Sequence, residues 1–344
     1  MTFQVALTGD FQKDGKTIYP DFDLEQLKNA SRIKYNFFTE HKLEIEPEQL
    51  KGFQGVIVLT PTVTSHSLSQ NQDLLVVSRF GVGYDGVDVS ACTKADVVLC
   101  TTVGAPDRPV AEATVGWMIA LGHRTIIKDK LVRKGLWDQR SEYMGGELRD
   151  RTLGIVGLGG IGSVVIELLK GFGMHQPLVY DPFINEKNAE KLGVRKVELH
   201  ELMKHSDFIT LHCPLNEHTR NLISHTELNL MKSSSFIINT ARGGIINEDA
   251  LFEVLSQNRI AGAALDCFND EPVIKPNRFC ELENVILAPH SIAWTQELFR
   301  EMGMKCSQHM IDLANGIRPH GIVNPEVFDR PSFQEKWKKK IIVK

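Results

Sequence analysis

Residues 153–169 read LGIVGLGGIGSVVIELL. Four apolar positions run into Gly157, Gly159 and Gly162, and a second apolar run follows. Few local structures accept this pattern. Glycines at such spacing let a buried strand turn sharply into a helix, leaving the helix's first amides open to whatever approaches. In the order G-x-G-x-x-G, after a strand and before a helix, they form a cradle for a pyrophosphate. Such a turn usually opens a domain. Here it sits near the middle of a 344-residue chain, so the half before it must fold for a purpose of its own.

A chain this long exceeds what one core ordinarily serves, and two domains are expected. With 42% hydrophobic and 24% charged residues the composition is that of a globular protein. A net charge of -4 gives no reason to expect nucleic acid or an anionic membrane as partner. The run KWKKKIIVK at 336–344 reads as a solvated tail. No apolar stretch reaches the ~18 residues of a membrane span, and MTFQVALTGD lacks the basic and apolar regions of a signal peptide. The six cysteines (92, 100, 213, 267, 280, 306) form no C-x-x-C pair. They read as reduced thiols of a cytoplasmic protein, neither a disulfide frame nor a zinc site, and no metal is expected.

Residues 1–105 alternate between short apolar runs and helical stretches. Strand candidates are 3–9, 55–60, 74–81 and 96–102, with a helix predicted over 23–33. This is a small βα sheet buried on both faces. The segment 105–124, APDRPVAEATVGWMIALGHR, predicts a long helix with Asp107 at its cap and Pro109 in its first turn. Val110, Ala113, Thr114, Trp117, Met118 and Leu121 recur at helical spacing on more than one face, which suggests packing between domains or subunits. The charged stretch 125–150 reads as an irregular connector or arm. From Leu153 six strand candidates follow (153–157, 177–181, 208–213, 236–241, 262–267, 284–289) with helical crossovers, making a doubly wound parallel sheet. A long helix over 295–316 then returns to the first unit. The expected fold is α/β with two domains: 1–105 plus 297–344, interrupted by a nucleotide-binding domain over 106–296. Ligands are expected in the crevice between them.

The second strand of the later sheet ends in Asp181, about 20 residues beyond the glycines, where an acid binds ribose hydroxyls. Asp181 would repel a 2′-phosphate, and PFIN (182–185) offers no arginine to hold one. NAD is therefore expected over NADP. Three later strand ends carry polar residues that a buried sheet does not otherwise need. Arg242 precedes two glycines, and its planar fork suits a carboxylate. Asp266 ends its strand, with Glu271 five residues on. His290 follows Pro289 directly.

These stretches make the chain similar to the D-isomer-specific 2-hydroxyacid dehydrogenase family. The resemblance rests on RFGVGYDGVD (79–88), PVAEATV (109–115), GLGGIG (157–162), YDP (180–182), HCPLNEHTRNLI (212–223), INTARGGIINEDAL (238–251), ALDCFNDEP (264–272) and APHSIAW (288–294). It covers nearly the whole chain. It implies a Rossmann NAD-binding domain inserted into a flavodoxin-like substrate domain. It implies that Arg242, Glu271 and His290 are the catalytic arginine, acid and histidine, and that Gly81, Val82 and Gly83 offer amides to the substrate carboxylate. Around NAD it implies Gly157, Gly159, Gly160, Ile161, Gly162, Asp181, Cys213, Pro214, Thr219, Thr240, Ala241, Arg242, Asp266 and His290. Trp294 would either close the pocket or pack. The family's dimers use the region after Val110, so a homodimer is expected.

The expected activity is hydride transfer between nicotinamide and C2 of a small 2-hydroxy or 2-oxo acid. Glyoxylate or hydroxypyruvate reduction, 3-phosphoglycerate oxidation and broader 2-oxo acid reduction all stay open. The 54 residues after His290 leave no room for an appended regulatory domain, which favours an unregulated dehydrogenase. NAD-sensing corepressors share this fold and can keep all three residues. They are the alternative, although the chain shows no peptide-docking signature.

Overall fold

A computed structural model describes residues 2–19 and 22–341. The chain divides into two compact units, Met1–Pro106 with Trp294–Lys344, and Asp107–Ala293. Both are α/β units built on parallel sheets.

In the first unit, β1 (Phe3–Leu7) is followed by a small antiparallel hairpin of β2 (Gln12–Lys13) and β3 (Lys16–Thr17). Then come β4 (Ile33–Phe37), β5 (Gly55–Val58), β6 (Val76–Arg79) and β7 (Val98–Thr101). The parallel sheet has the order β4-β1-β5-β6-β7. Val76, Val77, Val98 and Leu99 are fully buried, as strands covered on both faces must be. The sequence reading missed β4. Its pattern, IKYNF, alternates buried with exposed positions because it is an edge strand, so no continuous apolar run marks it. The preceding helix is correspondingly short, Glu25–Asn29.

The long helix Gln296–Ala314 belongs to this unit. Thr295 caps it by accepting a hydrogen bond from the Leu298 amide at 3.1 Å. Leu298, Phe299, Met302, Cys306, Met310 and Leu313 enter one core with Phe3, Leu7, Phe11 and Ile57. Trp294 packs edge-on against Tyr19 and Phe299, with ring centroids 5.6 and 5.3 Å away.

The second unit carries β8 (Leu153–Val156), β9 (Leu178–Tyr180), β10 (Arg195–Lys196), β11 (Phe208–Leu211), β12 (Phe236–Asn239), β13 (Gly262–Leu265) and β14 (Val285–Leu287). All pair in parallel, in the order β10-β9-β8-β11-β12-β13-β14. The seventh strand, β10, is two exposed residues at the edge, too short and too polar to read from sequence. The order reverses between β8 and β11, the point at which ligands gather in open α/β sheets.

The helix Asp107–Gly122 buries Ala111, Val115, Trp117, Met118 and Leu121 inside this same unit, against β8 and the helix Gly160–Leu169. Its apolar breadth serves the unit's own core. The stretch after it is not irregular. Arg124 turns through φ 56°, a nine-residue helix runs Thr125–Arg133, and a 3-10 turn follows at Trp137–Glu142. Among the described residues no helix is long and apolar enough to cross a membrane.

Each unit holds a neutral histidine, His309 buried and His212 half-buried. Burial depresses His309, whose Nδ1 lies 2.8 Å from Ser78 Oγ, to about 4. It depresses His212 to about 3. An unfolded chain takes up protons at these positions below its ordinary value of 6.5; the fold does not. Stability is thus full above that value and falls as pH drops toward 4. For His309 the loss reaches about 2 kcal/mol at pH 5. Urea midpoints at pH 7 and pH 5 check this: the lower-pH midpoint should be clearly smaller, and His309→Gln should narrow the gap.

Candidate active site

Within the second unit, all of the chemistry-bearing residues follow the carboxyl ends of parallel strands. The glycine turn follows β8, Asp181 follows β9, Cys213 follows β11, Arg242 follows β12, Asp266 follows β13 and His290 follows β14. Adjacent strands in register therefore bring them to one edge of one sheet.

The glycine turn is as tight as its spacing implies. Gly157 adopts φ 89°, and a Cβ there would fall 2.7 Å from the Cys213 amide nitrogen across the β8–β11 junction. At Gly162 a Cβ would lie 3.0 Å from the Gly157 carbonyl. Gly159, by contrast, has open space where its Cβ would stand. The turn is closed toward the protein and open on one side, the shape needed for a pyrophosphate against the first amides of Gly160–Leu169. Asp181 braces it: Oδ2 accepts from the Leu158 amide at 2.7 Å and Oδ1 from the Phe183 amide at 2.8 Å. Thr219 folds its own loop by donating to the Pro214 carbonyl at 2.6 Å. Thr240 Oγ1 lies 3.4 Å from Thr114 Oγ1.

His290 and Glu271 meet directly. Nδ1 of His290 is 2.7 Å from Oε2 of Glu271, and both side chains are partly exposed. The other carboxylate oxygen accepts from the Phe268 amide at 2.8 Å. Burial pushes the Glu271 carboxyl up, but hydrogen bonds from His290 and Phe268, with the positive charge of Arg242 nearby, more than offset it. The group lies below its ordinary value and is a carboxylate near neutrality.

His290 is a non-glycine residue held at φ 51°, a conformation that persists only where neighbours enforce it. Asp266 enforces it. Its carbonyl accepts from the His290 amide at 2.8 Å, Oδ1 accepts from Ser291 at 2.9 Å and from Ile292 at 3.2 Å, and Oδ2 lies 3.3 Å from the Ile292 amide. Asp266 is only 4% exposed, and burial raises its carboxyl against the lowering effect of those amides. Its evident work is to position the histidine loop.

Arg242 is set by groups that sequence reasoning did not single out. Asn239, buried at the end of β12, accepts from the Ala241 amide at 3.0 Å and donates to the Arg242 carbonyl at 2.8 Å. The Arg242 guanidinium donates to the Ala241 carbonyl at 2.6 Å. Gly243 lies hard against the loop that carries Glu271: a Cβ would sit 1.9 Å from the Phe268 carbonyl oxygen. The signal was present in ARGG and INTA, but an asparagine among buried residues and one glycine of a pair do not reveal their partners. Gly81, Val82 and Gly83 lie in the first unit after β6, where Gly81 takes φ 138° and its carbonyl accepts from the Thr102 amide at 3.0 Å.

Comparison with known proteins adds to this geometry. Residues 115–291 match the family described as D-isomer specific 2-hydroxyacid dehydrogenase, NAD binding domain. The chain is 38% identical over 279 residues to a D-3-phosphoglycerate dehydrogenase of Methanocaldococcus jannaschii, covering 80% of this chain but 53% of that one. It is 35% identical over 293 residues to a glyoxylate reductase of Korarchaeum cryptofilum, covering 83% of this chain and 88% of the other. The chain thus spans about half the length of the first relative and most of the second. Among solved structures, an acyclic imino acid reductase in complex with NADPH and D-Arg superposes with a TM-score of 0.80 at 25% identity, over 93% of this chain and 100% of the other.

Proposed function

The chain belongs to the D-isomer-specific 2-hydroxyacid dehydrogenase family, its residues 115–291 being that family's NAD-binding domain, and from this premise we propose that it interconverts a small D-2-hydroxy acid and its 2-oxo acid. The observation that carries the proposal is the His290–Glu271 pair at 2.7 Å, on the sheet edge that also carries Arg242. When bound, nicotinamide supplies or accepts the hydride at C2.

The chain's residues do the rest. His290 uses Nδ1 on Glu271, so Nε2 is the atom that gives a proton to the substrate oxygen in reduction and takes it back in oxidation. The Glu271 carboxylate orients the ring and stabilises the imidazolium, and Asp266 holds the loop from below. Arg242 offers a two-pronged guanidinium to the carboxylate and draws charge toward the carbonyl oxygen. Arg242, Glu271 and His290 are the proposed catalytic set.

Gly157, Gly159, Gly160, Ile161 and Gly162 are proposed to hold the pyrophosphate and Asp181 the adenosine ribose. Cys213, Pro214 and Thr219 are proposed to line the adenosine side, and Thr240, Ala241 and Asp266 the nicotinamide end.

The test is NADH consumption with glyoxylate, hydroxypyruvate, pyruvate, phenylpyruvate and 2-oxoisocaproate, and NAD reduction with 3-phosphoglycerate. Turnover of at least one supports the reading; turnover of none counts against it.

Cofactor choice is a sharper expectation. Asp181 should make NAD preferred over NADP, since a 2′-phosphate brought beside a carboxylate is repelled and PFIN supplies no cation. Steady-state kcat/KM with both cofactors checks it. Asp181→Ala should narrow the preference, both by weakening NAD and by lifting the repulsion. Equal values in the unchanged protein would refute the assignment.

We further propose a homodimer in a reducing, cytoplasmic compartment. The support lies after the long helix, where Ile126, Val132, Trp137 and Met144 are exposed together on one segment. The described cysteines are all unpaired, as such a compartment keeps them. Light scattering at micromolar concentration should give twice the chain mass.

A further inference from the structure

We propose that a thiophilic divalent cation such as zinc or cadmium binds across Cys267, Glu271 and His290 and reversibly switches the enzyme off. This inference rests on the proposed roles of His290 and Glu271 and goes beyond them.

The three residues come from two loops. Cys267 follows Asp266 immediately, Glu271 lies four residues further, and His290 follows β14. The Cys267 sulfur, a Glu271 carboxylate oxygen and a His290 ring nitrogen all lie within 4.8 Å of one another. One sulfur, one nitrogen and one oxygen are the donors from which zinc sites are built, with arms of about 2.0–2.3 Å. A tetrahedral ion of that size spaces its ligands by roughly 3.3–3.8 Å. The group is therefore close to the required size, and the 2.7 Å His290–Glu271 contact has to open by about an ångström for the ion to enter. Both of those side chains are partly exposed, which gives the opening and a path for the ion. The sulfur selects the metal class, because thiolate favours zinc or cadmium over magnesium or calcium.

The surroundings suit a cation. Cys267 is buried, and its thiol now lies 3.4 Å from the Ala241 carbonyl. Asp266 and Glu271 put negative charge beside it, while the positive charge of Arg242 opposes them. Burial and the two carboxylates hold the free thiol well above its ordinary value, so without an ion it is protonated and inert.

The proton balance is simple. Binding releases the Cys267 proton to solvent. The ion takes the place of the proton between Nδ1 and the Glu271 carboxylate: an imidazolium releases that proton to solvent and keeps the one on Nε2, a neutral ring exchanges it through solvent for one on Nε2, and either way a neutral imidazole protonated on Nε2 remains. An imidazole held that way cannot pass between its charged and neutral forms, which is what carbonyl reduction requires of it. Cys267 takes no part in the proposed turnover, so its replacement removes the metal response and leaves the reaction.

The test uses full-length protein freed of metal with a chelator, in a Cys280→Ser background because Cys280 is an exposed thiol. Titration with cobalt(II) or cadmium(II) should produce one equivalent of thiolate-to-metal charge-transfer absorbance. Cys267→Val should lose it, with Cys267→Ser as a second variant if the valine does not fold. In activity assays zinc should lower turnover at least about tenfold, EDTA should restore it, and Cys267→Val should be unaffected by the same zinc. Loss of a direct ligand should weaken binding by more than the roughly 10–100-fold that an outer partner is worth. Equal zinc sensitivity of wild type and Cys267→Val, or a wild type with no charge-transfer absorbance, would overturn the proposal. The spectroscopic titration does not depend on turnover. A protein that binds cobalt through Cys267 but reduces no oxo acid refutes the catalytic reading alone, and an active protein that binds none refutes this inference alone.

Discussion

His290→Gln is expected to lower turnover of 2-oxo acids by about 10²–10⁴, the range that a general acid typically supplies, while NADH binds within a few-fold of wild type. The separation follows from the geometry. The turn proposed to hold the pyrophosphate, at Gly157, Gly159 and Gly162 and braced by Asp181, lies several strands away from β14. In the proposed reaction the imidazole contributes its proton and little of the cofactor's affinity. Glutamine keeps a polar group of similar reach beside Glu271 but has no proton to give at neutral pH. Fluorescence titration with NADH and steady-state kinetics on the same preparation check both halves. Near wild-type reduction by the variant would return His290 to a packing role.

Gly243→Ala should be nearly as damaging, although the residue is proposed to touch neither cofactor nor substrate. Its Cβ would lie 1.9 Å from the Phe268 oxygen and 2.1 Å from the Phe268 carbonyl carbon. Both are backbone atoms, so no side chain can swing aside. Either the Arg242 turn or the 268–271 loop must move, and the second holds Glu271 through the Phe268 amide. Overpacking of this kind costs about 1–3 kcal/mol, which in a unit this size lowers the melting temperature by roughly 3–10 °C. A displacement of about an ångström between Arg242 and the His290–Glu271 pair costs ~10² in kcat/KM. Calorimetry and kinetics on the one variant measure both. Gly116→Ala is the control: it lies in the helix Asp107–Gly122 with open space at its Cβ, and it should leave activity unchanged.

The contrast between those two glycines shows where sequence reading stops. Strands buried on both faces, such as β8, β12 and β13, announce themselves as unbroken apolar runs, and the polar residues that interrupt their ends stand out. That is why Arg242, Asp266 and His290 could be named from the chain alone. Edge strands β4 and β10 alternate or are too short, so the same physics hides them. The helix Thr125–Arg133 was hidden by its charge: five of nine residues are polar, and only Leu131 is buried.

Contacts between distant segments were beyond reach altogether. Nothing in the order of residues says that Gly243 presses on Phe268, that Asn239 organises the Arg242 turn, or that Cys267 lies within 4.8 Å of both Glu271 and His290. The apolar helix after Asp107 gave a pattern that two physical situations satisfy, a shared interface or a deep core. One of its faces, with Ala111, Val115, Trp117, Met118 and Leu121, packs in the core of its own unit.

The proposed reaction is stereochemically constrained: one face of C2 is presented to nicotinamide while His290 and Arg242 hold the oxygen and the carboxylate. Two-substituent acids therefore cannot react equally as mirror images. The most direct measurement is NAD reduction with paired enantiomers, D- and L-lactate, D- and L-glycerate and the two 2-hydroxyisocaproates, at matched concentrations. The expected result is oxidation of at least one D acid with its L partner at background, and the loss of that signal in His290→Gln. Oxidation of L acids at equal or greater rate, or a D-acid rate unchanged by His290→Gln, would contradict it.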